Sequence, residues 1–533
     1  MSENRVNKIA GRLWEMANEL RGNMDAGEFK NYILAFMFYR YLSERQERYL
    51  VENNVIDVQD GQTVNEAYRE QATGEELTDY LQDISESLGY AIEPEDTWVS
   101  LNEKIEEAQI VPSDYQTIFE HFNKNAERNH EAAKDFRGVF YDINLGDSRL
   151  GSSTTARAKS LNNIVKLVDE IEYKGDDGKD ILGEIYEYLI GQFAASAGKK
   201  GGEFYTPHQV SKVLAKIVTT GVKKSKSVFM VYDPAMGSGS LLLTVREELL
   251  KENKADAIKF YGQELNTTTY NLARMNLMMN NVSFNNMHLN NADTLESDWP
   301  DGPDDKGIDH PRSFDGVVAN PPYSAKWDNR ESKMKDERFG SYGRLAPASK
   351  ADYAFILHSL YHLNNSGTMA IVLPHGVLFR GAAEGLIRQA LIEKNYLDAV
   401  IGLPANLFYG TSIPTVILVF KKNRRMRDIL FIDASKEFEK GKNQNRLTDE
   451  HVEKIVQTYK DRVDAEKYAH LASYDEIKKN EFNLNIPRYV DTFPEEAPID
   501  IAEVCKQLEK DHAEIALLEK EIKEQLEILG IKM

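Results

Sequence analysis

Cysteine is nearly absent from the 533-residue chain, in which Cys505 is the single example. One cysteine excludes an internal disulfide framework and a cysteine-rich zinc site, and it suits a reducing cytoplasm. No run of about eighteen apolar residues occurs, so we expect no transmembrane helix. The first residues lead directly into a charged amphipathic pattern that is unlike a signal peptide, and we therefore expect a cytoplasmic protein.

Positive charge is also scarce, since the formal net charge is -21. A protein that binds nucleic acid alone usually carries a basic domain, so a nucleic-acid substrate would require a local basic face or a partner. The Gly-x-x-x-x-Gly-Lys-Ser/Thr pattern does not occur, which argues against a P-loop nucleotide motor. The chain is too long for one core and indicates roughly two to four domains.

The most informative stretch is an apolar run that ends in Asn320, Pro321, Pro322 and Tyr323. The run is typical of a buried strand, and prolines cannot continue a ladder or a regular helix. The chain therefore leaves the sheet in a fixed loop at the carboxyl end of a strand, where open α/β sheets bind ligands. Asn320 offers a side-chain carbonyl, Pro321 a main-chain carbonyl and Tyr323 an aromatic face.

These groups suit a planar amino group, whose nitrogen lone pair is delocalised. Two acceptors that hold its hydrogens favour a more tetrahedral nitrogen with a freer lone pair, while the ring holds the flat substrate. Taken alone, the four residues could equally form an ordinary strand-to-loop turn.

A second pattern runs from a buried strand at 228–232 through Asp233 to a turn and a helix at 241–250. Strand, glycine-containing turn and helix begin a Rossmann-like βαβ unit, and small residues let a ligand approach the backbone. The turn lacks the complete pyrophosphate fingerprint Gly-x-Gly-x-x-Gly. Asp233 would repel a phosphate but suits a cationic ligand, which indicates S-adenosylmethionine (SAM) and not NAD. The turn residues are Gly237, Ser238, Gly239 and Ser240.

Acidic residues follow the next two strands. Glu264 ends the strand at 258–262, where it can bind ribose hydroxyls, and Asp293 follows a weaker strand from Leu289, where it can accept from an adenine amino group. Single acids are usually solvated, but recurrence at successive strand ends favours one site. We predict an α/β fold: a Rossmann-like methyltransferase sheet, an α-helical N-terminal domain and a C-terminal helical extension.

Flanking segments complete the predicted organisation. Residues 6–165 have helical patterns without catalytic spacing, which favours a scaffold or partner-docking domain. Further strands are expected at 369–373, 397–402 and 416–421, and the sheet is expected to end after Arg424. The predicted domains are 1–165 (helical), 166–430 (methyltransferase), 431–498 (connecting segment) and 499–533 (coiled-coil-like docking helix).

Three segments carry alternatives or weaker expectations. Thr206 and Pro207 fit a helix N-cap and first helical position. The locally basic loop 324–350 is either a mobile phosphate-contacting flap or a disordered surface loop. The loop 406–411 is a candidate lining of the substrate pocket.

The last segment, after Pro498, shows a seven-residue repeat typical of one long helix of about thirty residues. A stripe of this kind needs a surface to cover it, and we favour a partner protein. Its apolar positions are Ile501, Val504, Leu508, Ile515, Leu518, Ile522 and Leu529.

Together these motifs resemble the modification (HsdM) subunits of type I restriction–modification systems, which are SAM-dependent DNA adenine-N6 methyltransferases. The likeness covers nearly the whole chain. Asn-Pro-Pro-Tyr alone also occurs in methyltransferases that act on protein glutamine, but the ordered set is specific. Its segments are 20–25, 203–207, 233–240, 320–323 and 483–489.

The resemblance implies roles for the matching residues. Asn320 and Pro321 would hold the target amino group, Tyr323 would stack on the base, Glu264 would bind the ribose and Asp293 would lie near the adenine of SAM. No metal is implied. Position 240 is often glycine in the family and is serine here. Further SAM contacts would come from Glu203, Phe204, Tyr205, Thr206, Pro207, His208, Ser238, Gly239 and Ser240.

The resemblance also implies partners: double-stranded DNA, a specificity subunit that reads it, a second copy of this subunit and a motor–nuclease restriction subunit, with no membrane. A separate specificity subunit would resolve the unfavourable charge. Two alternatives remain at this stage: a self-sufficient DNA adenine methyltransferase, and a SAM-binding scaffold without turnover.

Overall fold

The structure is a computed structural model, and its described residues are 8–9, 11–16, 18, 24–172, 181–197, 205–223, 226–296, 312–409, 411–441, 444–492 and 501–531. The chain divides into two compact units, Met1–Val490 and Asp491–Met533. No helix among these described ranges is both long and apolar enough to cross a membrane.

Helices make up the first third of the larger unit. The buried α1 passes through its centre, and Arg40 on α1 donates to the main-chain oxygens of Asp169 and Ile171 at 3.1 and 3.2 Å. This contact satisfies carbonyls at the end of α7, which have no partner within the helix. The helices are α1 (Ala26–Glu52), α2 (Val64–Gln71), α3 (Glu76–Leu88), α4 (Trp98–Glu106), α5 (Pro112–Ala126), α6 (Ala133–Phe136) and α7 (Thr154–Asp169).

Strands and helices alternate in the rest of the larger unit. The helices are α8 (Leu182–Ala197), α9 (His208–Val218), α10 (Ser240–Lys251), α11 (Thr267–Met279), α12 (Glu337–Gly340), α13 (Asp352–Tyr361), α14 (Ala382–Glu393), α15 (Asp449–Asp461) and α16 (Tyr474–Lys479). The strands are β1 (Lys226–Asp233), β2 (Ala255–Glu264), β3 (Met287–Asn291), β4 (Phe314–Ala319), β5 (Leu363–Pro374), β6 (Leu397–Gly402), β7 (Thr415–Lys421), β8 (Ile429–Asp433), β9 (Glu439–Lys440), β10 (Asn445–Arg446) and β11 (Ala469–Ala472).

Nine strands form one sheet in the order β11-β8-β6-β7-β5-β4-β1-β2-β3, and β9 and β10 form a separate hairpin. β1, β2, β3, β4 and β5 are parallel, whereas β7 is antiparallel to both of its neighbours. From β1 the chain adds β2 and β3 on one side and β4 and β5 on the other. This change of direction opens a crevice at the carboxyl ends of β1 and β4, which is where ligands bind in such sheets.

Both faces of the sheet are buried, which explains why β4 is apolar at successive positions. Val318 faces a core that includes Val213 of α9. Its neighbours Val317 and Ala319 face the opposite core with Ile356 of α13. The strand is therefore fixed from both sides before it reaches Asn320.

The expectation that the sheet ends after Arg424 is wrong. β8 pairs with β6 in parallel, and β11 pairs with β8 in antiparallel orientation. β8 has only five residues, and its partner β6 lies about thirty positions earlier. Pairing at that separation leaves no periodic pattern within the short strand itself.

The basic loop 324–350 is ordered in the structure, so its interpretation as a disordered segment is wrong. It contains a short 3-10 helix, Glu331–Lys335, and α12. The buried Lys333 lies 2.6 Å from a carboxylate oxygen of Glu296, and the buried Arg338 lies 2.7 Å from one of Asp336. Part of the positive charge therefore serves the fold of the loop, and a role in binding phosphate stays a prediction.

The smaller unit contains α17, Ile501–Ile528, in which no residue is buried. The apolar positions of the seven-residue repeat are exposed, for example Leu508 at 50% and Ile522 at 54%. The predicted long helix is therefore present with its apolar stripe accessible.

Candidate active site

Eight of the predicted site residues meet at the carboxyl ends of β1, β2 and β4. One cleft opens there, and eight of its lining residues are among the residues predicted from the sequence. They are Tyr205, Thr206, Gly237, Ser238, Ser240, Glu264, Asn320 and Pro322. The glycine turn after β1 and the Asn-Pro-Pro-Tyr loop thus share one cavity.

The turn after β1 owes its shape to two glycines with left-handed backbone conformations, Gly237 at φ +54° and Gly239 at φ +78°. A Cβ at Gly239 would overlap Leu277 of α11, so this position allows close packing between α10 and α11. A Cβ at Gly237 would meet no atom within 4 Å. The backbone at Gly237 therefore faces open space that a ligand can approach.

Glu264 joins the end of β2 to that turn. Its carboxylate accepts a hydrogen bond from the Gly237 amide at 3.1 Å and another from the Asn266 amide at 2.9 Å. Glu264 also lines the cleft. A carboxylate fixed by two amides in the wall of a cleft suits a ligand that offers hydroxyl donors.

Asp233 is fully buried at the end of β1. Its Oδ1 accepts from the Ala235 amide at 2.9 Å, whereas Oδ2 has no hydrogen-bond partner among the described residues. Burial, with a smaller contribution from Glu264, raises the pKa of Asp233 to about 8. Without a ligand the carboxyl is therefore mostly protonated at neutral pH, and a positive charge close to it would favour the ionised form.

The side chain of Asn320 is held at both ends. Its Nδ2 donates to Oγ1 of Thr206 at 2.9 Å, and its Oδ1 accepts from the Tyr323 hydroxyl at 2.7 Å. Only 8% of Asn320 is exposed. The amide is therefore oriented before any substrate arrives, as electrostatic preorganisation requires.

Tyr323 packs edge-on against Phe408, with ring centroids 6.1 Å apart and an interplanar angle of 77°. Burial, with a smaller contribution from Asp352, raises the pKa of Tyr323 well above its usual value. The hydroxyl therefore stays protonated and acts as a donor to Asn320. Phe408 belongs to the loop 406–411 that was a candidate lining of the substrate pocket.

Two further predicted residues, Thr206 and Asp293, form contacts other than those expected or lie at the surface. Thr206 does not cap the helix: α9 begins at His208 with Pro207 in the cap position and no side-chain cap hydrogen bond. The predicted cap is therefore wrong, because the Thr206 hydroxyl accepts from Asn320 instead. Asp293 is exposed and accepts from the Leu295 amide at 2.9 Å.

Several predicted contacts do not line the cleft, and two lie outside the described residues. Glu203 and Phe204 are the two outside the description. Described residues absent from the cleft lining are Pro207, His208, Asp233, Gly239, Asp293, Pro321 and Tyr323. Their functional roles stay predictions.

Lys30 is a lining residue that the sequence did not suggest. It lies on α1, whereas Thr269 and Leu272 line the cleft from α11. A lone lysine within a charged helical pattern carries no signature of a site almost 300 positions away in the sequence. The N-terminal helices therefore form part of the wall of the cleft, beyond their role as a separate scaffold.

The sheet order, the antiparallel β7 and the ligand-facing strand ends define a SAM-dependent methyltransferase fold, as the matching structures confirm. The N-6 DNA methylase family matches residues 177–497, and the HsdM N-terminal domain family matches residues 9–168. The chain belongs to the N-6 DNA methylase family and, within it, to the methylase subunits of type I restriction enzymes. The predicted family, fold class and enzyme class are thus confirmed.

Relatives of known structure or curated function agree with this family assignment. The type I restriction enzyme MpnII methylase subunit of Mycoplasma pneumoniae is 38% identical over 93% of this chain and 91% of its own length. The MjaIX methylase subunit of Methanocaldococcus jannaschii is 28% identical over 98% and 92%. The type I restriction–modification methyltransferase subunit of Streptococcus thermophilus matches with a TM-score of 0.83 and 45% identity, covering 92% of this chain and all of that one.

Proposed function

We propose that this chain transfers the methyl group of SAM to the N6 amino group of an adenine in DNA through the cleft that joins Asn320 to the turn after β1. The observation that carries the proposal is the double hydrogen bonding of the Asn320 amide by Thr206 and Tyr323 within the cleft that Gly237 and Glu264 also line. An oriented acceptor thereby lies beside a pocket suited to the methyl donor.

The described residues fit SAM, which would supply an electrophilic methyl group when bound. Glu264 would accept hydrogen bonds from its ribose hydroxyls, and the Gly237 backbone would allow close approach. Asp233 lies at the end of β1 outside the cleft lining, and the positive charge of the ligand would favour its ionised form. The predicted contacts of Glu203, Phe204 and Asp293 remain part of this proposal.

The amino group of the adenine would donate its two hydrogens to Asn320 Oδ1 and to the Pro321 carbonyl. An amide oxygen has two lone pairs, so accepting from Tyr323 is compatible with accepting from substrate. These acceptors would increase electron density on the amino nitrogen and orient its lone pair. Because the amino group of a stacked base cannot reach a recessed pocket, the adenine would be flipped out of the duplex, with Tyr323 as its stacking face.

The net charge of -21 supports the proposal that other subunits supply DNA affinity and sequence choice. We assign segment 1–165 to a scaffold that also forms part of the cleft wall, 166–430 to catalysis and 499–533 to docking. Segment 431–498, predicted as a connection, also contributes β11 to the sheet. The exposed apolar stripe of α17 supports docking to the specificity subunit. The proposed assembly also contains a second copy of this subunit and a motor–nuclease subunit. We place it in the cytoplasm.

The test is Asn320→Ala in the complete assembly purified from its host. The substrate is genomic DNA from cells without adenine methylation, with SAM labelled on its methyl group. We expect the methyl-transfer rate to fall about 100-fold or more, because one oriented polar group of this kind is worth that much. SAM affinity should stay close to wild type, and a near wild-type rate would contradict the assigned mechanism.

A further inference from the structure

The residue after the Asn-Pro-Pro-Tyr loop has an unfavourable backbone conformation. Ser324 lies at φ +52°, in the left-handed region that residues with a side chain rarely occupy. Such a conformation persists where surrounding contacts determine it. The contacts of Ser324 therefore show what holds the loop in place.

The contact that holds Ser324 comes from Asp352, the first residue of α13. The Ser324 amide donates to Asp352 Oδ1 at 2.8 Å. One residue further on, the Ala325 carbonyl accepts from the Ala351 amide, also at 2.8 Å. Two successive hydrogen bonds thus attach the end of the catalytic loop to the start of α13.

Asp352 is itself held from the other side. Arg380 Nη2 donates to Asp352 Oδ2 at 2.5 Å, and Arg380 Nε lies 2.9 Å from a carboxylate oxygen of Glu384. Asp352 is fully buried, and the side chain of Glu384 is only 4% exposed. A carboxylate at this depth needs charge pairing and hydrogen bonds, and Arg380 with the Ser324 amide provides both.

We propose that Asp352, oriented by Arg380, is a positioning residue that sets the geometry of the Asn320–Tyr323 loop for methyl transfer. It acts through the backbone: the hydrogen bond to Ser324 fixes where the chain leaves Tyr323, and Tyr323 in turn donates to Asn320 Oδ1. Burial first, and the Asp352 carboxylate second, raise the pKa of the Tyr323 hydroxyl and so favour the protonated form that donates to Asn320. The inference rests on the proposed role of Asn320.

The experiment compares Asp352→Ala and Asp352→Asn in the complete assembly, with the DNA and labelled SAM described above. Displacement of a catalytic group by about 1 Å can cost about 100-fold in rate, so we expect kcat of Asp352→Ala to fall by about that factor. Asp352→Asn keeps an acceptor for Ser324 but loses the charge that pairs with Arg380, and we expect a smaller fall of about tenfold. The KM for DNA and the Kd for SAM should change less than about threefold, because no binding group is removed.

Asp398→Asn is the matched control. Asp398 is 4% exposed and binds Arg424 and Arg462 at 2.9 and 3.0 Å, so it is a buried, arginine-paired carboxylate like Asp352. It lies near the amino end of β6, which runs in the same direction as β4 and β5, whereas the cleft lies at the carboxyl ends of the strands. Its replacement should lower the midpoint of thermal unfolding and leave kcat within about twofold of wild type.

A kcat for Asp352→Asn within twofold of wild type, or equal losses of kcat in the Asp352 and Asp398 variants, would overturn the proposal. If Asp352→Ala does not fold, the kcat of Asp352→Asn decides alone. Asn320→Ala is measured in parallel: an active Asn320→Ala variant would refute the proposed function. An inactive Asn320→Ala beside a fully active Asp352→Asn would refute only the positioning role.

Discussion

The Asn320 side-chain nitrogen donates a 2.9 Å hydrogen bond to the hydroxyl of Thr206, a residue 114 positions earlier in the chain. This bond connects the segment before α9 to the loop after β4. Because Tyr323 holds the oxygen of the same amide, the bond to Thr206 helps decide which face of the amide meets a substrate. Substitution of Thr206 therefore tests directly whether the orientation of the Asn320 amide matters.

Replacing Thr206 by valine removes the hydroxyl and keeps the shape of the side chain. Loss of the hydrogen bond between the buried Asn320 amide and Thr206 costs about 1–3 kcal/mol, so we expect kcat to fall about tenfold. Methyl transfer to DNA by the complete assembly measures this. Thr206→Ser retains the hydroxyl and should stay close to wild type. Equal rates for the valine and serine variants would show that the hydrogen bond does not contribute.

Tyr323 combines a hydroxyl that binds Asn320 with a ring proposed to stack on the base, and two substitutions separate these roles. Tyr323→Phe keeps the ring and loses the hydrogen bond, so we expect a fall in kcat of less than about tenfold. Tyr323→Ala also removes the ring. Stacking of a base on an aromatic ring is worth about 1–3 kcal/mol, so this variant should lose a further factor of about ten or more.

The measurement for Tyr323 is kcat and KM for methyl transfer, with SAM affinity followed separately by calorimetry. If the phenylalanine and alanine variants are equally impaired, the ring does not act as a stacking face. In that case the hydroxyl alone explains the need for tyrosine at this position.

The sequence predicted the strand ends of the site because their determinants are local. An apolar run followed by Asn320 and two prolines, and a glycine turn after Asp233, each specify their own geometry within a few residues. The fold class followed from the repetition of these patterns. The same reasoning failed at Thr206, where capping preference was outweighed by a contact with a distant residue.

Lys30 and β8 are two further features that local sequence patterns do not predict. Lys30 reaches the cleft because α1 packs on the methyltransferase part, and no local pattern encodes that packing. β8 joins the sheet through pairing with β6, which a five-residue apolar run cannot specify alone. Long-range contacts decide both, so only the folded chain shows them.

Substitution of Gly239 tests the turn that we propose supports the SAM pocket. Gly239→Ala places a Cβ against Leu277 in a backbone conformation, φ +78°, that disfavours side chains. We expect a loss of stability of about 1–3 kcal/mol and weaker SAM binding, because the turn must shift. Thermal unfolding and calorimetric titration with SAM measure these two effects.

Gly221→Ala is the control for Gly239. Gly221 has nearly the same φ, +79°, but a Cβ there would meet no atom within 4 Å. Both variants share the backbone strain, and only Gly239→Ala adds the collision beside the cleft. Equal losses of stability together with unchanged SAM affinity in both would show that close packing at Gly239 is not required for cofactor binding.

The buried carboxyl of Asp233 predicts a specific dependence of stability on pH. Its pKa is about 8 in the folded chain and about 3.9 when unfolded, so the folded state retains a proton that the unfolded state releases. Stability from this group is therefore complete below about pH 4, decreases as pH rises, and levels off above about pH 8. The slope is at most about 1.4 kcal/mol per pH unit.

Asp233→Asn resembles the neutral carboxyl and removes this dependence. We expect the unfolding midpoint of the variant, relative to wild type, to rise between pH 5.5 and pH 8.5 in the absence of SAM. SAM should stabilise wild type more than the variant at pH 8.5, because only the carboxylate offers a negative charge to a cationic ligand. A difference between the two proteins that does not vary with pH would mean that Asp233 is already ionised, and therefore that its Oδ2 has a partner in solution.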